Sequence, residues 1–167
     1  MLPYFKKLNF SLANLNELES YCTQDHDWRF NYGFFYIPCP DILIEKIPNL
    51  NLIKNKFNGR VHFLRLNSWN LYNFHIDIPR GIVFNAVIKG FDCFTFFSDT
   101  IPDLSREAFS PIKEIVYKKK EIYLINTQLP HGVYNRSENR IVLSLGLDKE
   151  HSYDKVVEFL KDQNFIS

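Results

Sequence analysis

An H-x-D motif lies in an apolar segment of the chain, where His75 and Asp77 fall within the sequence FHIDI. Side chains alternate between the two faces of a β-strand, so His75 and Asp77 are predicted to project from the same face of one strand. Imidazole nitrogen and carboxylate oxygen suit non-haem Fe(II), which proteins hold with two histidines and one carboxylate. A metal site of this kind requires a second histidine.

His131 is the candidate for that second histidine. It follows Pro130 just beyond the apolar segment EIYLIN and opens the sequence HGVYNRSEN, which is predicted to be a turn before the next strand. Strands that are distant in sequence face each other in an antiparallel roll, so the separation from Asp77 is no obstacle. A single histidine is more often a structural residue than a metal ligand, and the H-x-D motif alone is therefore a weak signal.

Arg140 is the fourth residue that could take part in the chemistry of such a site. It begins the segment RIVLSLGL and is predicted to lie on the face of the smaller residues, opposite four large aliphatic side chains. A guanidinium group binds a carboxylate through two parallel hydrogen bonds, so an arginine beside a metal suits a dicarboxylate co-substrate. The alternative is an arginine at a strand end in solvent.

The order of these residues resembles the Fe(II)- and 2-oxoglutarate-dependent oxygenases. The resemblance rests on His75, Asp77, His131 and Arg140. More narrowly, the segments YNFHIDIPRGIVFNAVIKG and YLINTQLPHGVYNRSENRIVLSLGL are similar to the aspartyl/asparaginyl β-hydroxylase-like branch of that superfamily. The resemblance covers about residues 61–147. It implies a double-stranded β-helix of the cupin-like type, which is also called a jelly roll.

The resemblance also implies cofactors and a reaction. Fe(II) would be held by His75, Asp77 and His131, and Arg140 would bind the far carboxylate of 2-oxoglutarate. With O2, such an enzyme hydroxylates a C–H bond and releases succinate and CO2. The implied substrate is an amino acid, or an Asp/Asn-type residue in a peptide or protein. No catalytic residue is expected beyond the metal ligands.

Four further polar residues are candidates for contacts with co-substrate or substrate, namely Asn85, Arg80, Arg65 and Ser68. Asn85 lies inside the apolar segment IVFNAVI, so its side chain either contacts a ligand or is satisfied by a neighbouring group. Arg80 either binds a carboxylate or simply occupies a turn. Some branches pair the arginine with a serine two residues later, but Val142 stands there in this chain, so a second polar ligand must come from elsewhere.

The elements that must position these residues are predominantly β. Seven short apolar segments follow one another between residues 59 and 147 without helical patterns between them, which indicates an antiparallel sandwich or barrel. The spacing of apolar residues predicts a helix over 11–22 and another over 152–163. Residues 48–59 are predicted to form loops, and EIVY and EIYLIN are predicted to pair as a hairpin across the three lysines 118–120. We expect one domain over residues 1–167.

Composition excludes several classes of function. The chain has 167 residues, a formal net charge of +1, 46% hydrophobic residues and 23% charged residues, which excludes an intrinsically disordered chain. The near-neutral charge argues against nucleic acid as a partner. No run approaches the roughly 20 apolar residues that span a bilayer, and the first residues lack a signal-peptide pattern. We therefore expect a soluble cytoplasmic protein with no membrane partner; oligomeric state is not readable.

Two alternatives to the oxygenase stay open at this level. One is a cupin-like metalloenzyme that does not use 2-oxoglutarate, and the other is a non-catalytic jelly-roll binding module. Activity in the complete absence of 2-oxoglutarate would favour the first, and failure to bind any divalent metal would favour the second. Substrate selectivity is predicted to lie in the irregular segments 28–59 and 97–111.

Overall fold

Two antiparallel β-sheets face each other in this computed structural model, which describes residues 4–78, 80–98, 113–136 and 138–167. In chain order, the strands are β1 (Phe5–Ser11), β2 (Arg29–Asn31), β3 (Phe34–Pro38), β4 (Arg60–Leu66), β5 (Leu71–His75), β6 (Arg80–Lys89), β7 (Cys93–Phe97), β8 (Lys113–Val116), β9 (Glu121–Asn126), β10 (His131–Asn135) and β11 (Arg140–Asp148). The helices are α1 (Leu15–Cys22), α2 (Asp41–Glu45), α3 (Pro48–Lys56) and α4 (Tyr153–Asp162). The larger sheet has the order β1-β9-β6-β11-β4-β3-β2, and the smaller sheet has the order β5-β10-β7-β8.

The outer face of the larger sheet packs against the helices. On β11, the alternate residues Ile141, Leu143, Leu145 and Leu147 all point into this layer, as the strand period of two requires. Helix α4 covers part of it through Val156 and Leu160, which are fully buried. Ser152 caps this helix by accepting a hydrogen bond from the Lys155 backbone N–H at 3.4 Å.

The inner face of the larger sheet packs against the smaller sheet. Val83, Val87 and Val142 contribute to an apolar cluster that includes Phe97 and Ile115 from the smaller sheet. The two layers of strands therefore enclose a core of their own, separate from the helix-covered layer. This mainly β arrangement with flanking helices confirms the predicted fold class.

Most of the predicted strands are confirmed, because each corresponds to an apolar segment long enough to be recognised in the sequence. The segment 48–59 differs from its prediction as loops: α3 occupies most of it, with a proline in the first turn and Leu50 and Ile53 buried three positions apart. The lysine segment 118–120 does not close a hairpin, because β8 pairs with β7 while β9 pairs with β1 and β6. The chain crosses there from one sheet to the other.

Four strands of the described chain were absent from the prediction. They are β1, β2, β3 and β10. The first three extend the larger sheet at its two edges, so the β core is not confined to residues 59–147. Among the described residues, no helix has the length and apolar character needed to cross a membrane.

Candidate metal centre

His75, Asp77 and His131 come together at one end of the space between the sheets. His75 is the last residue of β5, and His131 is the first residue of β10 and pairs directly with it. The two imidazole rings lie 4.3 Å apart between centroids, and His75 Nε2 lies 3.4 Å from Asp77 Oδ1. One ligand atom from each of the three residues lies within 4.8 Å of the others. These distances suit three ligands around a single ion.

Backbone carbonyls orient both histidines. His75 Nδ1 lies 2.7 Å from the carbonyl oxygen of Asn73, and His131 Nδ1 lies 3.0 Å from that of Leu129. A carbonyl only accepts hydrogen bonds, so Nδ1 of each ring is the donor in these contacts, and Nε2 of each ring is left to face the metal-ligand cluster. This second hydrogen bond is the usual way in which proteins fix a ligating histidine.

The protonation states favour cation binding at neutral pH. Burial lowers the pKa of His131 to about 4, with a further contribution from the nearby His75. For Asp77, burial alone would raise the pKa, but the contact with His75 and the positive charge of Arg80 hold it below its usual value. The cluster therefore combines a neutral His131 imidazole with an ionised Asp77 carboxylate at neutral pH.

Asp77 lies two residues beyond the end of β5, where Thr127 and Gln128 bind its backbone. The prediction of a strand over FHIDI differs from the structure here, because the Asp77 N–H donates to the Thr127 carbonyl at 3.1 Å instead of to a neighbouring strand. Gln128 Nε2 donates to the carbonyl oxygens of Asp77 at 2.9 Å and Arg80 at 2.8 Å. Sequence reasoning missed Thr127 and Gln128, since no local pattern marks residues that bind a backbone segment distant in sequence.

The inner pocket is a cavity of about 70 Å³ that extends from the metal-ligand cluster between the sheets. Arg140 lines it and is 7% exposed. Its Nε and Nη2 have no hydrogen-bond partner among the described residues, while its guanidinium carbon lies 5.1 Å from the centroid of the Tyr117 ring. A buried cation with two unpaired donors is costly, so this arginine is suited to binding an anionic ligand in the pocket.

Asn85 lies in the same pocket and pairs in register with Ser144 on the adjacent strand. Asn85 Oδ1 and Ser144 Oγ are both buried without a hydrogen-bond partner in the described part of the chain. Thr95 also lines the pocket, and its hydroxyl lies 2.8 Å from the Tyr117 hydroxyl. Unsatisfied polar atoms of this kind accumulate where a polar ligand or ordered water belongs.

The remaining candidates lie in different places. Arg80 lines the pocket, and its Nη2 lies 2.9 Å from Asp77 Oδ2. Arg65 lies along the pocket wall, but its guanidinium stacks between the rings of Trp28 at 4.7 Å and Phe35 at 4.6 Å. Ser68 is not among the pocket-lining residues; its backbone N–H and hydroxyl donate to Asn139 Oδ1 at 3.2 and 3.3 Å. The structure thus brings Arg80, but not Ser68, to the predicted site.

A wider groove of about 660 Å³ opens beside the inner pocket. The two spaces share walls that include His75 and Asp77. Tyr32 and Ile78 line the groove and are 80% and 79% exposed. Of the segments predicted to control selectivity, 28–59 contributes to this groove, and residues 99–112 lie outside the described residues.

Comparison with known proteins matches no family model and no curated protein sequence. Solved structures do match. A viral collagen prolyl hydroxylase from Paramecium bursaria Chlorella virus-1, in complex with 2-oxoglutarate, is 14% identical, with a TM-score of 0.57 over 87% of this chain and 96% of that chain.

Two further structures match at similar levels. A prolyl hydroxylase from Trichoplax adhaerens, in complex with a peptide fragment of hypoxia inducible factor, is 12% identical, with a TM-score of 0.58 over 88% of this chain and 84% of that chain. HygX from Streptomyces hygroscopicus, with nickel and 2-oxoglutarate bound, is 12% identical, with a TM-score of 0.53 over 87% of this chain and 82% of that chain. The described chain therefore has the jelly-roll fold of the 2-oxoglutarate-dependent oxygenases.

Proposed function

We propose that this protein is an Fe(II)- and 2-oxoglutarate-dependent dioxygenase. The observation that carries the proposal is the joint presence, in one pocket, of the cluster His75, Asp77 and His131 and of the buried, incompletely paired Arg140. The donor set of two imidazoles and one carboxylate fits iron. The unpaired guanidinium N–H groups fit the carboxylate of a co-substrate.

The residues of the pocket would share the work of binding. His75, Asp77 and His131 would hold Fe(II), and Arg140 would donate hydrogen bonds to the far carboxylate of 2-oxoglutarate. Asn85 offers a further polar group to the co-substrate or the substrate. Bound iron, together with 2-oxoglutarate and O2, would supply the hydroxylation of a C–H bond, with succinate and CO2 as co-products.

The substrate we propose is an amino acid or an Asp/Asn-type residue in a peptide, as in the aspartyl/asparaginyl β-hydroxylase-like branch. The groove beside the pocket supports the peptide, since about 660 Å³ exceeds what a single amino acid fills. Its exposed Tyr32 and Ile78 offer apolar contacts to residues on either side of the one that is hydroxylated. The Trichoplax adhaerens neighbour is itself a complex with a peptide fragment.

Anaerobic absorption spectroscopy tests the cofactor assignment. The purified metal-free protein is titrated with Fe(II) and then with 2-oxoglutarate, whose chelation to iron produces a weak, broad visible charge-transfer band. We expect this band in the wild-type protein and its loss in His131→Ala. Iron binding without a band would favour a cupin-like metalloenzyme that does not use 2-oxoglutarate. Absence of metal binding would favour a non-catalytic binding module.

A further inference from the structure

We propose that Arg80 is a positioning residue that presents Asp77 to the metal through a single oxygen. This inference rests on the proposed metal centre and adds a role for a residue outside the ligand set. The two oxygens of Asp77 face different partners. Oδ1 lies 3.4 Å from His75 Nε2, on the side of the metal ligands, and Oδ2 lies 2.9 Å from Arg80 Nη2.

The positive charge of Arg80 stabilises the buried carboxylate of Asp77. Asp77 is 9% exposed, and its Oδ2 is buried and accepts no hydrogen bond among the described residues. The ion pair with Arg80 is therefore what compensates that oxygen, and a buried carboxylate without such a partner would be strongly destabilising. Since Oδ2 is engaged in this way, Oδ1 is the oxygen left for a metal.

Gly146 makes room for the Arg80 side chain. Arg80 begins β6 and crosses over β11, where a Cβ atom on residue 146 would lie 2.9 Å from Arg80 Cδ. Real Cβ atoms essentially never approach a neighbour so closely, so a side chain at position 146 would displace Arg80. The absence of a side chain at Gly146 thus allows Arg80 to reach Asp77.

The backbone of Arg80 is fixed as firmly as its side chain. Its carbonyl oxygen accepts hydrogen bonds from Gln128 Nε2 at 2.8 Å and from the Thr127 hydroxyl at 3.2 Å. The same Gln128 amide binds the carbonyl of Asp77 at 2.9 Å. The backbones of Asp77 and Arg80 are therefore tied to the same Gln128 side chain, which suits a preorganised metal ligand.

Cobalt(II) absorption tests the role of Arg80 without requiring turnover. High-spin Co(II) gives visible bands whose position and intensity report the number and geometry of its ligands. We expect saturating Co(II) to give bands in Arg80→Gln that are shifted and weaker than in the wild type, because the second oxygen of Asp77 becomes free to bind. Arg80→Lys, which keeps the charge, should restore the wild-type spectrum at least in part.

Two further variants separate positioning from a general structural effect. Gly146→Ala changes neither ligand nor charge, and we expect it to shift the Co(II) bands in the same direction as Arg80→Gln. Arg136→Gln removes a different arginine–aspartate ion pair, of 2.8 Å with Asp92, at the surface, and should leave the spectrum unchanged. Circular dichroism confirms that each variant is folded before its spectrum is compared.

The outcomes distinguish this inference from the proposed function. If wild-type protein binds Co(II), His131→Ala does not, and folded Arg80→Gln gives the wild-type spectrum, then the positioning role is wrong and the metal centre stands. If wild-type protein binds no Co(II), the metal centre itself fails, and with it the role of Arg80. If Arg80→Gln differs from the wild type but Arg136→Gln differs equally, the effect is not specific and the inference is overturned.

Discussion

The two faces of the larger sheet are built from the same strands but bury different chemistry. On the helix-covered face, Phe84, Leu143 and Leu145 lie in an apolar layer. On the opposite face of the same two central strands, Asn85, Arg140 and Ser144 each carry buried polar atoms without hydrogen-bond partners in the described chain. One face therefore stabilises the fold, and the other retains polar groups at a cost in free energy.

That cost identifies the inner face as the place for a ligand. An apolar residue of similar size at any of these three positions would remove an unpaired polar group from the interior, and such replacements are commonly neutral or stabilising. A polar ligand that binds between the sheets would supply the hydrogen-bond partners that these side chains lack. Substitutions on the two faces should therefore separate stability from binding.

His131→Ala, on the inner face, is expected to have the largest effect on binding. We expect this variant to lose metal binding and Fe(II)- and 2-oxoglutarate-dependent succinate formation, because one of three ligands is removed from a buried cluster. Succinate release and equilibrium dialysis of Fe(II) measure the two effects. His151→Ala, a histidine beside α4 and distant from the pocket, is the matched control and should retain both. Undiminished turnover in His131→Ala would contradict the assignment.

Phe63→Ala, on the helix-covered face, should lower the stability of the fold without weakening metal binding. Phe63 has no exposed surface, and its truncation leaves a cavity that should lower the free energy of unfolding by about 3–5 kcal/mol. Denaturant titration measures this loss, and metal affinity of the folded fraction should stay at the wild-type value. A weakened metal site in stable Phe63→Ala would show that the two faces are coupled.

Arg140→Met should weaken co-substrate binding without weakening the fold. Loss of a charge-assisted contact of about 1.5–3 kcal/mol corresponds to a rise of about 10- to 150-fold in the 2-oxoglutarate concentration required. The free energy of unfolding of the metal-free protein should not fall, because two nitrogen atoms whose N–H groups are unpaired leave the interior. The dependence of succinate formation on 2-oxoglutarate and a denaturant titration measure the two quantities. An unchanged 2-oxoglutarate requirement would remove Arg140 from the site.

The smallest of these effects is a pH dependence of the metal-free protein. The pKa of His131 is about 4 in the folded protein and about 6.5 in an unfolded chain, so the unfolded state binds the proton first as the pH falls. Stability is therefore lost as the pH falls through 6.5 towards 4, by about 2 kcal/mol between pH 7 and pH 5. Denaturant titrations at both values measure it, and His131→Gln should lack this contribution. A wild-type protein that gains stability at pH 5 would contradict the sign.

Periodicity in the sequence was sufficient for most of the fold. The alternation in β11 correctly separates the helix-covered residues from Arg140 and Ser144, because a strand buried on both faces still keeps its period of two. Prediction failed where structure depends on distant partners. Strand β10 is short and lies between two others, and α3 is rich in asparagine, so neither has a strong local signal.

The candidate site was predictable in its residues but not in its supports. The H-x-D spacing predicted one face of a strand, whereas Asp77 lies beyond the strand and its backbone is bound by Thr127 and Gln128. Those contacts join segments about fifty residues apart, and their register cannot be read from either segment. The contact between Gly146 and Arg80 was not predicted either, since the two residues lie on different strands.

His131 and Arg140 lie close in sequence but belong to different sheets, since β10 is in the smaller sheet and β11 in the larger one. Asn135, which lies between these two residues in sequence, is fully buried. Its Nδ2 donates to the carbonyls of Asn67 at 2.9 Å and Glu138 at 2.8 Å. A molecule that touches the side chains of both His131 and Arg140 must bridge the space that they leave between the two layers, which lie about 10 Å apart in stacked sheets. The packing of the sheets therefore sets the length that a molecule needs in order to bridge His131 and Arg140.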